Sequence, residues 1–314
     1  MLQPRNRFQY EVATGQITLP SVIVLTLILF ALSASSYTWG NFGSLLIFGI
    51  ATYMLRETDT QFALIRTRTT LPASLFLLLF AAAPFLHTWN TAQLLLPLFI
   101  GMLFSLFLSY ESPHASTPIF HAFFFLGLGS LLVPCIAWLM PLLYIHMISL
   151  RSLEGKTFFA GIIGFTLPYW FLLGYCLYTD QVNLFYSTLS LLTDFQAIDY
   201  ATVPLERYIF WGVTAVLGIV YSIPYLRSDY KDKVQTRILL HILLGMGVWV
   251  NLLIALQPCR IDALLPLAFI PTVFMGGHLF SLTFNRFTRI LFIATLIVWL
   301  LLCSFNLWIH FFNF

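Results

Sequence analysis

Long apolar runs separated by short polar segments constrain this 314-residue chain more than any other feature. A helix that crosses a bilayer needs about 20 mostly apolar residues. Hydrophobic residues make up 60% of the sequence and charged residues 9%, whereas soluble domains carry about a quarter charged residues. We therefore predict an all-α, polytopic transmembrane helical bundle of about 11 spans, forming a single transmembrane domain over residues 1–314.

The fifth and sixth apolar runs are short, and Val133-Pro134 separates them. Proline fixes φ and lacks a backbone donor, so a break is expected there. We interpret the two runs as a thin helical hairpin, and the alternative is one long kinked element. The predicted spans are 17–36, 42–55, 71–86, 91–109, 119–132, 135–150, 158–178, 208–226, 238–256, 263–284 and 290–311.

The positions of the basic residues indicate the orientation. If the N-terminus is cytoplasmic and every run crosses, 13 of the 15 Lys and Arg residues lie on the cytoplasmic side. Such an asymmetry agrees with the positive-inside rule. The C-terminus then lies outside, which is the periplasm for a multi-pass protein of the bacterial cell inner membrane. Removing one member of the hairpin would place most of the later basic residues on the wrong side, so the charges favour two crossings.

Arg207 and Arg260 are the two exceptions, because both fall on the outer side, each close to an acid, Glu206 and Asp262. Arg260 lies in a polar segment, residues 257–262, between two apolar runs. The guanidinium fork matches phosphate and carboxylate geometry. We therefore predict that Arg260, Asp262, Arg207 and Glu206 bind a lipid-linked phosphate or diphosphate. The alternative is that these arginines pair with outer-face acids and tie two loops together, which adds little stability.

The longest segment between spans, residues 179–207, is predicted to be an outer loop that contains an amphipathic helix. Apolar residues recur there every three or four positions, and Thr179 or Asp180 is the expected cap. Such a helix lies flat in the membrane interface, and it is also suited to act as a lid over a lipid-facing groove. Asp194 and Asp199 are the candidate catalytic residues, as general bases toward a sugar hydroxyl.

Motifs for other chemistry are missing from the sequence. The four cysteines form no CxxC pair, and the seven histidines form no HxxxH or HExxH spacing, so we predict no metal, cofactor or disulfide. Histidines inside apolar runs are expected to hydrogen-bond to neighbouring helices. Membrane lipids are the predicted partners, and nucleic acid is not.

Two stretches resemble a known group of enzymes. Residues 127–134 (GLGSLLVP) with 139–144 (LMPLLY) resemble a helix pair in polyprenyl-phosphate-dependent membrane glycosyltransferases. Residues 260–267 (RIDALLPL) resemble a late segment of the same superfamily. The whole chain also resembles an uncharacterised polytopic integral membrane family of Bacteroidota. The outer arginines are similar to those with which O-antigen polymerases and ligases engage a lipid diphosphate.

The resemblance implies a cell-envelope protein that handles a polyprenyl-linked glycan or lipid at the periplasmic face. The family's catalytic acid lies in the first outer loop, but residues 36–41 contain no Asp or Glu. Whether the chain is an enzyme therefore stays open. The alternatives are a non-enzymatic membrane scaffold or assembly factor for envelope machinery and, third, a small-molecule transporter, which the scarcity of charged residues within the spans disfavours.

Overall fold

The computed structural model describes residues 7–33, 39–193, 198–201 and 203–312. All regular structure within these ranges is helical, which confirms the all-α class. The helices are α1 (Arg7–Thr14), α2 (Thr18–Ser33), α3 (Trp39–Phe62), α4 (Leu71–Ala81), α5 (Leu95–Leu108), α6 (Ser116–Leu132), α7 (Met140–Ser149), α8 (Gly155–Tyr178), α9 (Val182–Ser190), α10 (Leu205–Ser228), α11 (Val234–Leu256), α12 (Ile261–Leu282) and α13 (Arg286–Phe312).

Six helices in the described part of the chain are long and apolar enough to cross a membrane. A seventh span results if α1 and α2, which meet at a bend of 85°, count together. These helices are typical of a multi-pass membrane protein, whereas eleven spans stay a prediction because α4, α6 and α7 are shorter apolar helices. The six helices cover Thr91–Leu108, Gly155–Tyr178, Leu205–Lys231, Val234–Leu256, Pro258–Leu282 and Arg286–Ile309.

The chain divides into two compact units. Both α11 and α12 contribute residues to both of them. Unit 1 comprises Met1–Asn90, Val203–Gly247 and Leu265–Phe314, and unit 2 comprises Thr91–Thr202 and Val248–Leu264.

The core of unit 1 is built on α12 and α4, which are apolar all round. Such helices are stable only when neighbours cover every face. Almost every residue of both helices is buried. Phe80 of α4 stacks on Phe48 of α3 with ring centroids 4.0 Å apart, and Phe76 meets Phe269 of α12 edge to face at 6.3 Å.

In unit 2 the chain turns back at Val133-Pro134. Val133 is extended, and Pro134 begins a 3-10 turn that leads into α7. The segments that flank the α6–α7 pair meet again, because the Glu111 N–H donates to the Leu150 carbonyl at 3.1 Å. Arg151 and Glu111 also form an ion pair at 2.8 Å. The chain therefore folds back here instead of continuing as one kinked helix, and the crossing of the membrane by both runs stays a prediction.

Glycines allow α6 and α8 to pack with their backbones close together. A Cβ atom on Gly164 would lie 2.4 Å from the Phe120 carbonyl oxygen, and one on Gly127 would lie 2.5 Å from the Phe165 carbonyl oxygen. Small residues are what permits such approaches between membrane helices. Gly127 belongs to the GLGSLLVP stretch, so helix packing accounts for part of the pattern on which the resemblance rests.

The predicted outer loop, residues 179–207, contains the predicted helix, α9, and none of the residues of α9 is buried. The predicted cap is wrong, since the N-cap residue is Gln181 and makes no side-chain cap bond. Thr179 and Asp180 instead end α8: the Thr179 hydroxyl donates to the Tyr175 carbonyl, and Asp180 has a φ of 53°. The Gln181 N–H then bonds to the Cys176 carbonyl at 2.9 Å, as in a Schellman motif.

Candidate functional site

The polar segment 257–262 forms a tight turn between α11 and α12. Pro258–Arg260 makes one 3-10 turn, closed by the Arg260 N–H donating to the Gln257 carbonyl at 3.0 Å. Gln257 is buried, Asp262 is half-buried and Arg260 is exposed. Asp262 lies in the first turn of α12, where the helix dipole favours a negative charge. The turn therefore leaves the guanidinium of Arg260 accessible at one end of unit 2.

Two other segments of unit 2 meet near this turn. The Tyr200 hydroxyl donates to the Ala255 carbonyl at 2.7 Å, which satisfies an acceptor in the last turn of α11. The Trp138 indole N–H, in the turn after Pro134, donates to the Leu192 carbonyl at 3.3 Å. Cys135 lies within electrostatic range of Arg260. The predicted outer loop therefore contacts the end of α11 and the tip of the α6–α7 hairpin, and Cys135 at that tip lies near Arg260.

The other predicted pair belongs to unit 1. Glu206 and Arg207 lie in the first turn of α10, and both are half-buried. The Arg207 guanidinium carbon is 5.7 Å from the centroid of the Phe85 ring, a cation–π distance. The four predicted ligand residues therefore divide between the units, with Arg260 and Asp262 in one and Glu206 and Arg207 in the other.

Of the two candidate general bases, Asp194 and Asp199, only Asp199 is among the described residues. Asp199 is exposed, and its Oδ1 accepts a hydrogen bond from the Ala201 N–H at 2.8 Å. This contact shapes the loop backbone in the manner of an Asx turn. Asp194 lies outside the described residues. In the part of the chain that is described, no three His, Cys, Asp or Glu side chains are grouped as metal ligands.

A buried charged cluster in unit 1 was not predicted. The Asp232 carboxylate, only 1% exposed, lies 3.0 Å from Arg66 Nε through Oδ1 and 2.8 Å from His278 Nε2 through Oδ2. Arg66 Nη1 also donates to the Lys231 carbonyl at 3.2 Å. A buried charge is tolerated only when it is paired and hydrogen-bonded. Arg66 pairs with Asp232 through Oδ1, and His278 is hydrogen-bonded to it through Oδ2. The cluster connects the α3–α4 loop, the α10–α11 loop and the end of α12.

Aromatic and charged neighbours extend this cluster. The Tyr225 ring lies edge to face with His278, with ring centroids 5.1 Å apart, and 5.7 Å from the ring of His241. His241 Nε2 is 3.5 Å from Asp229. His278 was expected to bond to a neighbouring helix, but its partner lies on a loop. The signal in the sequence was a histidine in an apolar run next to loops rich in charge.

Asp59, near the end of α3, is a further half-buried acid of unit 1. Burial raises the pKa of its carboxyl to about 7, and a hydrogen bond from the Ile65 N–H at 3.2 Å opposes that rise. An acid with this pKa is partly protonated at neutral pH. Its carboxylate therefore adds less than a full negative charge to this end of the unit.

No protein-family model matches the chain, and no curated protein and no solved structure matches it either. The resemblances drawn from short stretches therefore stay predictions, and the function rests on the placement of the residues.

Proposed function

We propose that this multi-pass membrane protein belongs to the cell inner membrane, crosses it about eleven times, and handles a polyprenyl-linked glycan or a similar lipid at the periplasmic face. Arg260 binds the phosphate or diphosphate of that lipid. The observation that carries the proposal is the exposed arginine in a helix-to-helix turn, on the side from which the charge pattern otherwise excludes basic residues. The phosphate of a polyprenyl-linked lipid lies at the membrane surface, which is where the proposed topology places this turn.

Contacts within unit 1 support the predicted topology. The Gln9 amide donates to the Phe280 carbonyl at 2.9 Å, and Arg66 bonds to the Lys231 carbonyl, so segments assigned to the cytoplasm lie together. Ser33 Oγ is 2.5 Å from His87 Nδ1, which joins two segments assigned to the outside. If the chain crossed the membrane an odd number of times between the two partners of one of these contacts, the partners would lie on opposite sides of the membrane.

Contacts within unit 2 follow the same division. The Glu111–Arg151 ion pair joins two loops assigned to the cytoplasm. The Tyr200–Ala255 hydrogen bond joins the outer loop to the end of α11 beside Arg260. Both pairings agree with α6 and α7 crossing as a hairpin, and hence with the outer position of the turn that contains Arg260.

The residues suggest binding more strongly than catalysis. Arg260 offers a planar fork for two phosphate oxygens, and the α12 N-terminus beside it adds a partial positive charge. Asp262 follows Arg260 by two residues, in the first turn of α12, and is the proposed acceptor for a sugar hydroxyl. Arg207 and Glu206, in unit 1, stay a separate predicted pair, and Asp199 is the described candidate for a general base.

The test compares Arg260 variants in lipid nanodiscs that contain a polyprenyl diphosphate. We expect Arg260→Ala to weaken binding of that lipid about 10- to 100-fold, the loss typical of a hydrogen bond to a charged group. Arg260→Lys should retain part of the affinity, because an ammonium keeps the charge but not the fork. Native mass spectrometry of the purified protein measures the bound lipid.

Arg286→Ala is the matched control, since Arg286 is an exposed arginine at the start of α13, on the predicted cytoplasmic side. Its lipid diphosphate binding should equal that of the unaltered protein. Equal binding by Arg260→Ala, or normal surface glycan in a host that carries this variant at normal protein level, would overturn the proposed function.

A further inference from the structure

Unit 1 contains a cleft among α4, α10, α12 and α13. The cleft is partly open, and the empty space between its walls is about 460 Å³ when the space at its open side is included. Tyr221, Val273 and Leu302 form a buried floor, of which Val273 on the central helix α12 is only 1% exposed. The rim consists of half-exposed side chains, among them Leu75, Leu217 and Leu296.

The polar atoms in the wall of the cleft already have partners. The Tyr221 hydroxyl and Thr295 Oγ1 are hydrogen-bonded at 2.8 Å, and Thr272 Oγ1 donates to the Ala268 carbonyl at 3.1 Å. The Trp299 indole N–H donates to the Leu78 carbonyl. Among the described residues that line the cleft, none is charged. The cleft therefore offers a ligand almost only apolar contacts.

The open side of the cleft faces the surface that meets lipid. Beside the rim, Val216 and Ile219 on α10 and Ile293, Ile297 and Leu300 on α13 are 44–63% exposed. Both helices are long and apolar enough to span a membrane. An apolar surface on a spanning helix is bathed in hydrocarbon rather than water. Molecules that can enter the cleft from this side are therefore dissolved in the bilayer.

We propose that the cleft binds one hydrocarbon chain of a membrane lipid, acyl or isoprenoid, which enters sideways from the bilayer. Because the lipid phase is itself apolar, the gain comes from close packing against the walls rather than from removal of water. The hydrocarbon chain of the lipid would fill the cleft and contact lining atoms that otherwise face empty space. The inference goes beyond the proposed function, because it requires neither Arg260 nor a phosphate.

The experiment uses the full chain in nanodiscs of phosphatidylcholine with a diazirine midway along one acyl chain. After illumination, mass spectrometry locates the label. Lipids that only surround the protein react with exposed residues, whereas Val273 can react only with a chain inside the cleft. We expect label on Thr272 and Val273. A second arm with a diazirine on an isoprenoid alcohol decides which kind of chain labels these residues more strongly.

Two variants close the cleft and one serves as a control. Leu296→Trp and Leu217→Trp narrow the mouth from α13 and α10, and we expect a several-fold loss of label at Val273. Ile290→Trp, nearer the start of α13 at a residue that is 65% exposed and does not line the cleft, should leave the label unchanged. If Leu296→Trp fails to fold, Leu217→Trp decides. Val273 without label from either probe, or a label that a folded mouth variant does not reduce, would overturn the proposal.

Discussion

Asp232 illustrates how a single residue can organise one end of unit 1. Its carboxylate is almost completely buried, which is unfavourable for an isolated charge, but Arg66 and His278 each contact one oxygen. Arg66 is half-exposed, so water still solvates part of its charge. The net stabilisation is therefore modest, while loss of one partner leaves the others poorly matched.

We expect Asp232→Asn to lower the free energy of unfolding by about 2–3 kcal/mol, because a neutral amide removes the buried negative charge that compensates the Arg66 guanidinium. Denaturant titration in mixed micelles measures the loss. Asp229→Asn is the control: Asp229 is 24% exposed and lies 3.5 Å from His241, so its loss should cost less than about 1 kcal/mol. Equal decreases in the free energy of unfolding for the two variants would show that the buried contacts of Asp232 add no more stability than the exposed pair of Asp229 and His241.

For single residues, the sequence indicated which charged side chains are unusual, but it did not predict which residues those side chains contact. The pattern of charges identified Arg260 as unusual, and the structure places it exposed in its turn. In the sequence, Asp232 is only one of several charged residues between two apolar runs. Its partners are 166 positions earlier and 46 positions later in the chain, and no local spacing connects them. Long-range contacts of single side chains depend on how helices pack, which hydropathy does not report.

Among the helices, the pairing of α6 with α8 depends on glycine. Gly161 and Gly164 of α8 both face α6, where an added Cβ atom would meet Phe123 or the Phe120 carbonyl. Gly174, on the same helix, has open space around its Cα. Substitutions at these glycines therefore distinguish the effect of close helix packing from the effect of helix propensity within α8.

Gly164→Ala should destabilise the protein by about 1–3 kcal/mol, because the methyl group must push two backbones apart. Gly174→Ala should instead stabilise it slightly, by up to about 1 kcal/mol, since alanine is the better helix former. Thermal unfolding of both variants in detergent tests the pair. The same change in both variants, in either direction, would contradict close α6–α8 packing.

Helix positions were predicted well and helix ends less well. The span predicted at 238–256 corresponds to α11, Val234–Leu256, and the span predicted at 208–226 to α10, Leu205–Ser228. A span predicted from hydropathy ends at the first polar residues. The helix itself continues through those residues for as long as its backbone hydrogen bonds are formed. The wrong cap for α9 has a similar cause, because the capping pattern ignores that Asp180 already completes the end of α8.

For the molecule as a whole, the order and class of the elements follow from the sequence, but the two compact units do not. Apolar runs look alike in composition, so they cannot tell which helices pack together. That choice depends on sparse features such as Gly164, the break at Pro134 and the partners of Asp232. The predicted orientation differs in this respect, because it rests on the distribution of charge along the chain and not on which helices pack together.

The native cysteine next to Arg260 tests the central claim most directly. Cys259 is exposed, whereas Cys176 and Cys303 are buried, so in a Cys135→Ser background a membrane-impermeant maleimide should react mainly at Cys259. We predict labelling in spheroplasts, where the outer face of the inner membrane is accessible, and none after Cys259→Ser. Labelling of Cys259 only in inside-out vesicles would place Arg260 in the cytoplasm and contradict the account.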